Sequence, residues 1–334
     1  MARSSITRRI LNTLIVSASL GFSCFQALAA QSINVDGRPF LGLSKVGEHF
    51  GMRGYWVEQE KVFRLASKYT HIDFTKNSRF TQINGMPVYL GFSTAYVDGH
   101  MYMAATDYQH VLKPILTPQS FDNKPRVRRI VIDVGHGGKD TGARNERYGL
   151  TEKELNLDVA FRLRRLLEKS GFEVKMTRSK DVFVQLEERS LIANRYKADF
   201  FISLHFNSAA SPDASGLEVF ALTPQNQPST QRPRLLPEDA ERFWGNRYDP
   251  WNVLAAYHVE RALVQGIDDS DRGVKRARFS VLKYLNCPGV LVELGFMSHV
   301  GTAKKLRSKW YREQLAKSLY EGILAYRERL DRIR

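Results

Sequence analysis

Hydrophobic and polar positions follow two different rhythms along this chain. Over residues 31–120, short apolar runs recur near 32–35, 61–65, 71–74, 87–90 and 102–104. Asp36-Gly37, Asn84-Gly85 and Asp98-Gly99 separate several of them. Such pairs readily take the positive φ angles of tight hairpins, so the pattern predicts a small, mainly β domain. Pro114, Pro118 and Pro125 lie around Asp122-Asn123-Lys124 and mark a linker over 121–127.

From residue 128 the rhythm changes. A continuous apolar run at 130–134 predicts a buried strand. Leu155, Val159, Leu163, Leu166 and Leu167 then fall on one helical face, and Gly171 stops that helix. Strands follow at 172–177, 200–204 and 290–293. Helices are expected around Leu186–Ala193, over 251–264 and over 311–329. Strands that alternate with helices imply an α/β fold for 128–334, with a mostly parallel sheet covered by helices on both faces. The rhythm breaks at 224–250, which holds five of the twelve prolines and predicts a long loop. A short helix is expected inside it, around 237–244.

The first thirty residues follow neither rhythm. Arg3, Arg8 and Arg9 precede an apolar run at 10–22, and Ala27-Leu28-Ala29 offers a small-x-small cleavage site. This is the pattern of a secretory signal peptide, with an apolar run too short to span a bilayer. Arg8-Arg9 leaves Sec and twin-arginine export both open. Removal of 1–30 takes Cys24 away and leaves Cys287 with no partner for an internal disulfide. Cys287 is expected to be a small buried apolar residue. The formal net charge is +15, and the excess lies chiefly beyond residue 126. Export and the lack of a nucleic-acid-binding motif speak against nucleic acid as the partner of that excess. The excess favours anionic envelope polymers in the periplasm or cell envelope instead.

The chemistry concentrates where the strands end. His136 follows the strand in Val134-Gly135-His136-Gly137-Gly138, and His205 ends Phe201-Ile202-Ser203-Leu204-His205. Glu152 and Glu154 both open the first helix, and spacing alone does not separate them. Two His and one Glu form the open three-ligand set of catalytic zinc, which leaves a fourth position for water. Asp133 lies three residues before His136 and is placed to orient a ligand, and Asn207 is a substrate candidate beside His205. Glu293 sits inside Val290-Leu291-Val292-Glu293-Leu294. An acid in such a run must be paired, protonated or catalytic. Together these residues point to a hydrolase. His49, His71, His100 and His110 are scattered without ligand spacing and are expected to be ordinary.

These segments carry a family resemblance. They are residues 131–143, Glu152-Lys153-Glu154-Leu155-Asn156-Leu157, Ser203-Leu204-His205-Phe206-Asn207-Ser208, Asp271-Arg272-Gly273-Val274-Lys275 and residues 292–298. Over about 126–330 they resemble the zinc-dependent N-acetylmuramoyl-L-alanine amidases of bacterial cell walls. The resemblance implies His136, Glu152 and His205 as zinc ligands and Glu293 as the catalytic acid/base. It chooses Glu152, the glutamate directly before the lysine. It implies cleavage of the peptidoglycan amide between N-acetylmuramic acid and L-alanine, in wall remodelling or daughter-cell separation. One departure is Val134, which stands where the family usually has proline. Some members carry a blocking helix in the region of 224–250, removed by a partner protein. Glu238, Asp239 and Glu241 are therefore possible regulatory carboxylates, although a lid or groove wall suits this proline-broken segment better. The domain at 31–120 resembles the β-rich module at the N-terminus of some copper amine oxidases. The alternatives are a zinc peptidase cutting within the stem peptide, or an inactive peptidoglycan-binding regulator.

Overall fold

Asp36, Asn84 and Asp98 take φ of 50°, 53° and 48°, and the glycine after each is also positive. The three pairs are therefore the hairpin turns that their chemistry predicts. The computed structural model describes residues 32–333. The expected export segment at 1–30 lies outside the described residues. Among the described residues no helix is long and apolar enough to cross a membrane.

The chain divides into two compact units. The first takes residues up to 85 together with 92–109. Its strands Ile33–Val35, Arg38–Gly42, His100–Ala104 and Ala95–Val97 form one antiparallel sheet. Arg53–Glu58, Val62–Ala66, His71–Thr75 and Phe80–Ile83 form an antiparallel meander. Alternate residues Leu65, Ile72 and Phe74 are buried with Leu41, Leu43 and Val46, as a period of two requires.

The second unit comprises 86–91 and 110 onward. Residues 110–120 thus pack with it, beyond the boundary drawn from the prolines. The cause is apolar burial: Leu112 and Ile115 are buried, and the helix Lys113–Leu116 packs on the later helix Asp249–Gly266. Its strands are β1 (Met86–Tyr89), β2 (Arg129–Val134), β3 (Glu173–Met176), β4 (Phe200–Asn207), β5 (Leu217–Leu222), β6 (Asp271–Ala277) and β7 (Gly289–Phe296). The sheet order within this unit is β3-β2-β4-β7-β5-β6-β1. Helices α1 (Glu152–Lys169), α3 (Asp249–Gly266) and α5 (Lys309–Asp331) pack together on one face. Helices α2 (Leu186–Arg195) and α4 (Ser280–Lys283) pack together over Val131, Phe201, Phe220 and Leu291 on the other.

The sheet is mostly parallel, as the strand-helix alternation predicts, but it is mixed. β5 runs antiparallel to β7. Strands β4 and β5 are joined by the loop 208–216 and not by a helical crossover, so the chain turns back. Strand β5 therefore begins beside Glu293, and it ends beside the start of β7.

Candidate metal centre

Strand β2 ends at Val134, and the chain enters a turn in which Gly137 and Asp140 exchange backbone hydrogen bonds of 2.8 and 3.1 Å. His136 has φ of 60° there, in the left-handed region. Its ring lies between two carboxylates: Nδ1 is 2.9 Å from Asp140 and Nε2 is 3.0 Å from Oε1 of Glu152. Nδ1 of His205 is 2.9 Å from the same Glu152 oxygen. The nitrogen and oxygen ligand atoms of His136, Glu152 and His205 all lie within 4.8 Å of one another.

Glu152 is the first residue of α1 and is 4% exposed. Its carboxylate also accepts from the backbone N–H groups of Ala143 (2.8 Å) and Phe206 (3.1 Å). Burial pushes its pKa up, but the hydrogen bonds and charges of His136 and His205 outweigh burial and hold it well below the usual carboxylate range. Glu154 is exposed and accepts from Thr151 Oγ1 at 2.6 Å. One of the two first-turn acids thus faces the site, while the other closes the helix start.

The donor set fits a divalent metal. Two imidazoles and a deprotonated carboxylate converge, and Asp140 fixes the far nitrogen of one imidazole. Close packing is built into the backbone. A Cβ on Gly142 would lie 2.5 Å from Oε2 of Glu152, and one on Gly135 would lie 2.5 Å from the His205 ring. Among the described residues this is the group placed to hold a metal, and His49, His71, His100 and His110 form no such group.

Glu293 lies on β7, in register with His205 on β4 and with Glu218 on β5. Its Oε2 is buried and has no hydrogen-bond partner among the described residues. Burial, and then the charges of Glu152 and Glu218, push its pKa well above the usual range against the pull of Lys275. Glu218 accepts from Asn207 Nδ2 at 2.9 Å, from Arg272 Nε at 2.8 Å and from Lys275 Nζ. Asn207 is thus turned toward Glu218.

Asp133 does not reach the His136 ring. It is buried and accepts from Thr177 Oγ1, Ser203 Oγ and Arg189 Nη1 at 2.7–2.8 Å. The carboxylate that faces Nδ1 of His136 is Asp140, four residues later and not three before. Sequence reading missed Asp140, Glu218, Arg178 and Arg189. An acid within Leu217-Glu218-Val219-Phe220 was the available signal for Glu218, the same signal that marks Glu293.

Glu238, Asp239 and Glu241 are not brought to the site. Because β5 is antiparallel to β7, the segment after Leu222 leaves the sheet at the end away from His205 and Glu293. Asp239 is buried and paired with Arg232 at 2.8 Å and Arg278 at 2.5 Å. Glu238 and Glu241 are exposed. The expectation of a lid or blocking carboxylate therefore yields to a wrap held by ion pairs. Cys287 is buried, as expected, and burial pushes its thiol pKa up.

Residues 130–325 match the Amidase_3 family, described as N-acetylmuramoyl-L-alanine amidase. N-acetylmuramoyl-L-alanine amidase LytC of Bacillus subtilis is 34% identical over 197 residues, covering 59% of this chain and 35% of its own length. N-acetylmuramoyl-L-alanine amidase AmiC of Escherichia coli O6:H1 is 33% identical over 218 residues, covering 59% of this chain and 52% of its own. The chain thus spans about half, or less, of the length of these curated relatives. The solved structure of N-acetylmuramoyl-L-alanine amidase AmiC2 of Nostoc punctiforme aligns with a TM-score of 0.51 at 34% identity, covering 60% of this chain and 97% of that one. The matched segment exceeds half of the chain and holds every residue of the His-Glu-His group and Glu293, so the chain belongs to the N-acetylmuramoyl-L-alanine amidase family.

Proposed function

We propose that this protein is a zinc hydrolase of the bacterial envelope. In this reading it cuts the amide between the lactyl group of N-acetylmuramic acid and L-alanine of peptidoglycan stem peptides. The observation that carries it is the unpartnered, buried Oε2 of Glu293 in register with His205 of the His-Glu-His group. His136, Glu152 and His205 would hold the metal, with Asp140 fixing the tautomer of His136. Zinc bound there supplies Lewis acidity and lowers the pKa of water toward neutrality.

The remaining work falls to Glu293. Its carboxylate takes a proton from the attacking water as the water oxygen bonds to the carbonyl carbon. The same carboxyl then gives that proton to the alanine nitrogen as the C–N bond breaks, so the amine leaves neutral. A raised pKa suits a group that must hold a proton between two steps. Glu218 opposite it is held in place, because Asn207, Arg272 and Lys275 donate to it.

Export through the segment at 1–30 and residence in the periplasm or envelope belong to the same reading. The net charge of +15 supports contact with anionic envelope polymers. The β-rich first unit is the accessory module, of the copper amine oxidase-like kind, and is the natural place for the wall or an activator protein to bind.

Digestion of purified peptidoglycan tests the proposal. Released peptides with new L-alanine amino termini and an intact glycan are expected, lost with a chelator and restored by zinc. New termini within the stem peptide would make the protein a peptidase instead. No products and no bound zinc would leave an inactive wall binder and sink the reading.

A further inference from the structure

Beyond the ligands themselves, we propose that Arg178 and Arg189 are positioning residues that hold His136 in the backbone conformation of a metal ligand. The inference rests on the metal reading above.

Three successive carbonyls, those of Val134, Gly135 and His136, converge on these two guanidinium groups. Arg178 Nε donates to Val134 O at 3.1 Å and His136 O at 2.7 Å, and its Nη2 donates to Gly135 O at 2.9 Å. Arg189 Nη1 donates to Val134 O at 2.7 Å, and Nη2 to His136 O at 3.0 Å. Both side chains are buried, at 3% and 2% exposure. Asp133 faces Arg189 at 2.8 Å. Two buried like charges are a costly way to fill space, and an apolar pair would fill it with less desolvation.

What the arrangement secures is the backbone of His136. Its φ of 60° lies in the left-handed region, which residues with a Cβ adopt uncommonly. In the structure its carbonyl faces the arginines and its ring reaches Glu152. Gly137 completes the fit, because a Cβ there would lie 2.8 Å from Arg178 Nε.

Arg178 also ties two ligand-bearing segments together. The Nη2 that holds Gly135 O donates to Lys153 O at 2.7 Å, next to Glu152 in the first turn of α1. One planar fork thus sets the His136 turn against the Glu152 turn, which a lysine ammonium does not reproduce. The same clamp accounts for Val134 in place of proline. Its N–H donates to Thr177 Oγ1 at 3.0 Å, and the adjoining carbonyls are held by arginine.

Arg178→Lys and Arg189→Lys in the full chain test the proposal. Zinc affinity is measured by competition with a chromophoric chelator, and ligand geometry by the visible spectrum of the cobalt(II)-loaded protein. Each variant is expected to lose about 10- to 100-fold in zinc affinity and to shift or weaken the cobalt bands, while the circular dichroism of the apoprotein stays native. Guanidinium ion added to Arg178→Ala should restore the cobalt spectrum. If the lysine variants do not fold, Arg178→Gln and Arg189→Gln are read the same way. Wild-type affinity and spectrum in folded variants, with only a lowered Tm, would reduce both arginines to structural residues and overturn the inference alone. A wild-type protein that binds no zinc would overturn the metal reading and the inference with it.

Discussion

Glu218 and Glu293 lie directly opposite each other across the antiparallel pair of β5 and β7, and only one of them is neutralised by partners. Glu218 receives donors from Asn207, Arg272 and Lys275, whereas Oε2 of Glu293 receives none among the described residues. Like charges directly opposite destabilise a sheet, and here one carboxylate is fixed by three donors while burial pushes the pKa of the other well above the usual range. With Glu152 held ionised by two histidines, neighbouring acids of the same chemical type acquire different duties.

Glu293→Gln keeps the shape and removes the proton carrier. Hydrolysis of peptidoglycan is expected to fall about 100- to 10,000-fold, while zinc content by atomic absorption stays at the wild-type ratio. A variant with wild-type turnover would remove Glu293 from the mechanism.

Glu152 and Glu154 are two residues apart and separable by one experiment. Glu152→Gln should lose both zinc and activity. Glu154→Gln should keep both and cost about 0.5–1 kcal/mol of stability, because it weakens only the contact at the helix start. Zinc titration and thermal unfolding of the two variants check this, and equal zinc loss in both would contradict the assignment.

His110 and Asp249 make opposite contributions to stability between about pH 4 and 6.5. Burial, with Arg276 adding to it, lowers the His110 pKa from 6.5 to about 4. Its contribution is thus full above 6.5 and lost as pH falls toward 4. Burial raises Asp249 from 3.8 to about 7, against Asn246 and nearby arginines. Its contribution is full below 3.8 and lost as pH rises toward 7. The two imidazole and carboxyl groups are 3.9 Å apart. Relative to wild type, Asp249→Asn should gain stability as pH rises from 4 to 6.5, and His110→Gln should gain it as pH falls. Urea unfolding across that range reads both slopes, and parallel profiles would refute the assignment.

Asp239→Ala removes the buried acid that pairs with both Arg232 and Arg278. It should lower the Tm and leave kcat of the folded protein unchanged. A gain in activity would show that this segment restrains the site after all.

The chain's own periodicities were enough to determine the hairpin turns, the strand-helix alternation and the placement of His136 just beyond β2, whereas β4 and β7 run on past His205 and Glu293 to Asn207 and Phe296. Those features depend on backbone geometry and on residues close in sequence. Tertiary structure decided the rest. Glu152 and Glu154 share one helical turn that spacing cannot separate; the family resemblance picks Glu152, and the packing of α1 against β4 turns it to the histidines. Asp133 and Asp140 lie three and four residues from His136, but the turn between Gly137 and Asp140 brings only the second to its ring. The direction of β5 carries the proline-rich segment to the far end of the sheet and sets Glu218 against Glu293. The arginines that clamp the His136 carbonyls come from more than forty residues away. Register, strand direction and long-range hydrogen bonds are settled when distant apolar faces are buried together, and no local pattern encodes them.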